Sequence, residues 1–118
     1  MSSLDKELDG RSERIVRNEI SLRRVNEAIE AGRRTRDGLV PFLCECGLLG
    51  CNEVIELTLD AYEDVRRDGA RFVVLPGHRS EVDVLVGNGG GYDVVAKREG
   101  APAAYARQAD PRSPGGPE

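Results

Sequence analysis

Three cysteines fall within eight residues, as Cys44-Glu45-Cys46, a gap of four residues and Cys51, and the chain's single histidine, His78, follows after a further gap of twenty-six residues. Zinc takes four borderline or soft ligands in a tetrahedron, and three thiolates with one imidazole fill it. In an extended segment side-chain direction has period two, so Cys44 and Cys46 share a face and two sulfurs can converge on one ion. Gly47 and Gly50 bracket the loop to Cys51 and permit the tight backbone that swings in a third sulfur. The Pro76-Gly77 turn then presents His78 as the fourth ligand, with Glu45 or Glu53 as substitutes. The competing description is three unrelated core thiols and a surface histidine; one buried cysteine would carry little weight, but three in eight residues flanked by glycines point to a metal. Four protein ligands leave no open position for water, and three thiolates make a poor Lewis acid. The expectation is therefore a structural Zn2+ held by Cys44, Cys46, Cys51 and His78, no catalytic residue and no enzymatic activity.

The elements that position these residues read as an α+β fold: a long amino-terminal helix, then a small zinc-stapled antiparallel sheet with one short helix. From about Leu4 to Gly32 the chain lacks proline and alternates charges of both signs, giving a helix within a segment 1–36. Leu8, Ile15, Leu22 and Ile29 recur every seven residues, with Leu4 and Val25 beside them, but the stripe is too narrow for an autonomous coiled coil and suits weak pairing or docking on a partner. Asn18 falls at a position that would be buried in such a pairing and otherwise reads as exposed. Arg33, Arg34 and Arg36 complement the dipole at the helix end.

A zinc-binding unit over 39–98 follows. Pro41 forces an extended approach through Phe42 and Leu43, and Val54 to Leu57 is a second strand. Thr58 is an N-cap for a helix from Leu59 to Asp68, with Leu59, Tyr62 and Val65 on its apolar face and Gly69 as its C-cap. Arg71 to Leu75 is extended. Glu81 to Val86, with Val82, Val84 and Val86 on one face, and Tyr92 to Lys97 make a hairpin around the Gly-rich loop 87–91. No helix and no Lys-Ser/Thr accompany those glycines, which excludes the usual phosphate-cradling arrangement. Residues 101–118, ending in Pro114-Gly115-Gly116-Pro117, read as a flexible tail.

Composition sets the outer bounds. The 118 residues are 39% hydrophobic, only 4% aromatic and contain no Trp, so a modest aliphatic core would gain from a metal staple. A net charge of -4 argues against nucleic-acid binding through overall charge. No apolar run suits a bilayer and the first residues lack a signal-peptide pattern, so the expected compartment is the reducing cytoplasm, where an odd number of clustered thiols favours metal over disulfides.

Phe42-Leu43-Cys44-Glu45-Cys46, Cys51, Glu56-Leu57-Thr58, Tyr62, Val65-Arg66 and Phe72-Val73-Val74-Leu75-Pro76-Gly77-His78 together resemble a group of short actinobacterial proteins. The resemblance spans roughly Arg14 to Lys97, including Arg17-Asn18-Glu19 and Val25-Asn26-Glu27. This chain departs from the group in its more apolar Gly-Leu-Leu-Gly insert between Cys46 and Cys51 and in its Gly-rich hairpin. The group implies no activity. The functional expectation is an adaptor or regulatory protein, with transcription control as its setting, that engages a protein partner or itself through the amino-terminal helix. A thiolate-zinc redox sensor is the alternative, and direct DNA binding through the Arg-bearing helix a third.

Overall fold

The computed structural model describes residues 10–33, 35, 37–48 and 51–112. Helix α1 is Gly10–Ala31, followed by β1 (Val40–Leu43), β2 (Val54–Leu57), α2 (Leu59–Val65), β3 (Arg71–Val74), β4 (Asp83–Gly89), β5 (Tyr92–Lys97) and α3 (Ala101–Gln108). The α+β class and its antiparallel strands are as expected, divided into two sheets. β1 pairs with β2, Phe42 opposite Ile55. β5 lies between β3 and β4, and the β4–β5 register shifts by one residue between Leu85 and Gly87. Val82 is buried, but Val84 and Val86, expected to share its face, are exposed, as is Leu85, and the bulge falls at Val86.

The inward face of α1 differs from the seven-residue stripe. Ser12, Val16, Glu19, Ile20, Arg23 and Asn26 are buried, while Asn18 is exposed. At 100° per residue Ile15, Leu22 and Ile29 lie along one flank of that face and are partly buried; Leu4 and Leu8 lie outside the described residues. Four of the six residues the helix buries are polar, which periodicity of apolar residues does not report. The helix is thus no separate segment: Val16 and Ile20 share one hydrophobic cluster with Phe42, Tyr62, Phe72, Val95 and Ala106.

The chain from residue 101 also departs from expectation. Instead of a flexible tail it forms α3, with proline in its first turn and Ala101, Ala103 and Ala106 buried. Pro102 fits a helix start, where its missing N–H costs nothing, and the alanines let α3 approach α1 and β5 closely. The proline and glycine after 112, which lie outside the described residues, dominate the composition of this stretch. α2 begins as expected, with the Thr58 hydroxyl accepting from the Ala61 N–H at 3.1 Å. It ends at Val65, four residues before Gly69. That glycine serves packing: a Cβ there would sit 2.7 Å from Asp110 Oδ2 and 3.2 Å from Arg107 Cα.

Polar groups tie α1 to the sheets. Lys97, fully buried, bridges the carboxylates of Glu19 and Asp83. Its ammonium lies 4.9 Å from the centroid of Phe72, and the Arg23 guanidinium lies 4.6 Å from the same ring. Arg23 also donates to the carbonyls of Gly69 and Ala106, at 2.6 and 2.9 Å. Burial pushes the Glu19 carboxyl up to about 8, against the attraction of Lys97 and with repulsion from Asp83. One proton on Glu19 leaves Lys97, Asp83 and Glu19 jointly neutral.

Between its ordinary 4.5 and about 8, Glu19 holds a proton in the folded chain that the unfolded chain releases, so its contribution to stability falls as pH rises through that window. Glu19→Gln removes this titration. Urea denaturation of both proteins at pH 6 and pH 9 is predicted to show a smaller alkaline loss of stability in the variant; equal losses would contradict the assignment.

Candidate metal centre

The cysteine segment is the joint between the two sheets. The Cys44 N–H donates to the Glu53 carbonyl at 2.9 Å, continuing the β1–β2 ladder, and the Glu45 N–H donates to the Val73 carbonyl of β3 at 2.8 Å. Extended geometry here sends Cys44 and Cys46 to one side and Glu45 to the other. Glu45 enters the core, where it is 0% exposed. Its Oε1 accepts from the Val73 N–H at 3.0 Å, and its Oε2 accepts from Asn26 at 2.8 Å and from the Tyr62 hydroxyl at 3.1 Å. Asn26 also pairs with the Leu43 backbone, donating to its carbonyl at 2.9 Å and accepting from its N–H at 2.8 Å, as a neighbouring strand would. Phe42 stacks on Tyr62 with centroids 4.3 Å apart, closing β1 onto α2.

Gly47 follows with φ +68, and a Cβ there would sit 2.8 Å from both the Ile15 carbonyl oxygen and Glu19 Cγ. Only glycine satisfies both the left-handed backbone and this approach to α1. The turn lets the Leu48 N–H point back at Cys46 Sγ, at 3.4 Å. Cys44 Sγ accepts from the Leu75 N–H at 3.1 Å. On the far side, the Leu75–His78 turn is closed by a 3.0 Å bond from the His78 N–H to the Leu75 carbonyl. Gly77, at φ +83 behind Pro76, supplies the conformation that a type II turn requires, and its N–H donates to Asp93 at 3.2 Å.

These elements bring all four expected residues together: one ligand atom from each of Cys44, Cys46, Cys51 and His78 lies within 4.8 Å of the others. His78 Nδ1 faces the sulfurs, 3.8 Å from Cys44 and 3.7 Å from Cys51. A tetrahedron with zinc–sulfur bonds of about 2.3 Å and a zinc–nitrogen bond of about 2.0 Å has a sulfur–nitrogen edge of about 3.5 Å, close to this spacing. The three cysteines are free of disulfides. Burial pushes the thiols of Cys44 and Cys46 up, against hydrogen bonds from Leu75 and Leu48 respectively. A bound divalent cation reverses that preference, since a coordinating thiol is deprotonated outright, and the two N–H groups then face thiolate sulfurs. The cluster can hold a metal ion. Glu45 points away from it and Glu53 is exposed on the surface, so neither replaces His78.

Asn26 and Glu45 hold the centre from behind, a role that sequence reasoning passes over in Asn26 and misses in Glu45 by reading it as a substitute ligand. The rule that aligns Cys44 with Cys46 also turns Glu45 inward, so its burial was available from spacing alone. Asn26 carries no comparable signal. Comparison with protein-family models, with curated proteins and with solved structures finds no match. Among the described residues no helix is long and apolar enough to cross a membrane.

Asn26→Ala removes three hydrogen bonds, the one to Glu45 fully buried, and strands both backbone groups of Leu43. It is predicted to cost at least about 2 kcal/mol in urea denaturation and to weaken metal retention against a chelator. Asn18→Ala, on the exposed side of the same helix, should change stability by less than about 0.5 kcal/mol. Equal effects would refute this division of roles.

Proposed function

We propose that the cluster takes one structural zinc ion and that the chain is a non-enzymatic adaptor or regulatory protein. The observation that carries the metal reading is the convergence of three thiols and the chain's single imidazole within 4.8 Å of one another on the joint between the two sheets. Zinc suits a mixed sulfur and nitrogen tetrahedron better than hard cations do, because those prefer oxygen. Bound there, it would tie Cys44 and Cys46 at the end of β1, the loop at Cys51 and the turn before β4 into one unit. A core with two phenylalanines and no tryptophan gains from such a staple.

A structural role follows from the ligand set. Four protein ligands saturate the ion, and three thiolates quench its Lewis acidity. The buried carboxyls of Glu19 and Glu45 are engaged by Lys97 and by Asn26, Tyr62 and Val73, so neither is presented to a substrate. The role as adaptor or regulator rests on what the chain displays to solvent. The inner side of α1 is consumed by its own core, which leaves the outer side of that helix as the surface for contact with other macromolecules.

Native mass spectrometry with elemental analysis of protein expressed without added metal tests the metal reading. One zinc per chain, lost together from Cys46→Ser and from His78→Ala, is expected. A stoichiometric metal other than zinc, or zinc retained by Cys46→Ser, would overturn it.

A further inference from the structure

Helix α1 sorts its charges by side. Its four carboxylates are Glu13, Glu19, Glu27 and Glu30, and each is buried or half-buried. Glu19 binds Lys97, Glu27 binds Arg66 and Arg112, Glu30 binds Arg112, and Glu13 pairs with Arg17 at 3.0 Å. Of its five arginines only Arg23 turns inward; Arg11, Arg14, Arg17 and Arg24 are exposed. At 100° per residue the exposed residues Arg11, Arg14, Arg17, Asn18, Ser21 and Arg24 fall within about 140° of arc, opposite the buried face. Arg11 meets Glu81 at 3.5 Å with both side chains largely in solvent. Arg14 and Arg24 make no ion pair among the described residues. Ten residues separate those two, about 15 Å along the axis.

We propose that this face binds the phosphate backbone of a nucleic-acid duplex. The inference deepens the reading of the chain as a non-enzymatic contact module, and it depends on the placement of α1, not on the identity of the metal. Charge complementarity selects the partner. The face displays guanidinium groups, which engage phosphate through paired N–H donors, with a small amide and a hydroxyl between them. Its apolar members are Val25, at 46% exposure, and the small Ala28. Protein interfaces are anchored by buried aromatic or aliphatic side chains, whereas nucleic-acid interfaces are polar and strongly positive, and this face matches the second kind. Beside Arg11 and Arg14 a groove of about 400 Å³, lined also by Ile15, Asn18, Gly47 and Leu48, adjoins the stripe. The metal loop forms part of that groove, through the glycine that packs against α1. The net charge of -4 counts against long-range attraction of the whole chain. It does not cancel contacts through Arg14 and Arg24, and with Glu13 and Glu81 beside Arg17 and Arg11 it predicts binding that is weak and strongly dependent on salt.

Fluorescence anisotropy with labelled mixed-sequence duplexes of DNA and of RNA, across a potassium chloride series, tests this on full-length protein whose zinc content is measured in the same sample. Loss of zinc with retained binding would then count against the metal reading alone. The expected result is binding at 50 mM salt with a log–log slope near about −3 on DNA, as for some three neutralised phosphates. Arg24→Glu should weaken binding several-fold and Arg14→Glu/Arg24→Glu at least about tenfold. Arg67→Glu, an equal charge change at another exposed site, should leave it within about twofold. Arg14→Gln/Arg24→Gln adds no carboxylate to the helix and provides the same comparison if the glutamate variant fails to fold. No binding at 50 mM salt, equal loss in Arg67→Glu, or capture of a polyglutamate peptide in preference to either duplex would overturn the proposal.

Discussion

The position of Glu45 constrains most of this molecule. It stands between two metal-facing cysteines, and extended backbone allows no arrangement in which all three side chains share a side. With the thiols facing the cluster, a carboxyl must enter the core, where an unsatisfied one would be prohibitively costly. The fold answers with one donor from each of three elements: Asn26 of α1, Tyr62 of α2 and the Val73 N–H of β3. Helix, sheet and metal segment are consequently set relative to one another by a single side chain. The clamp and the candidate metal centre are two faces of one short stretch of chain.

A second buried polar group works in parallel. Lys97 between Glu19 and Asp83 fixes α1 against the β4–β5 hairpin. Buried ion pairs are poor sources of net stability, because desolvation offsets most of the attraction. Their consequence here is positional. A helix that buried only Val16 and Ile20 could rotate or slide at little cost, but one that must also place Glu19, Arg23 and Asn26 against particular partners has one orientation. That orientation turns the helix carboxylates toward the protein and leaves most of its arginines outside, so the basic outer face follows from the polar inner one.

Local chemistry made much of this legible from sequence. The cysteine spacing and the Pro76-Gly77 turn located all four members of the cluster, Thr58 marked the start of α2, and alternation with glycine marked the β4–β5 hairpin. What escaped was tertiary. The seven-residue stripe lies beside the buried face of α1, not on it, because the residues that decide the helix's rotation are polar and gain their place only from partners such as Lys97 and Leu43. α3 escaped because its buried residues are alanines, whose contribution is closeness of approach and not hydrophobic area. Gly69 was read as a helix cap, whereas it clears space for Asp110 and Arg107.

The account makes the Cys44–Cys46 segment a structural joint, closed on one side by Glu45 and on the other by a proposed zinc ion with Cys51 and His78. X-ray absorption spectroscopy of the purified protein at the zinc edge tests this most directly. Three sulfur neighbours at about 2.3 Å and one nitrogen at about 2.0 Å are predicted. A first shell dominated by oxygen, or one with fewer than three sulfurs, would contradict it.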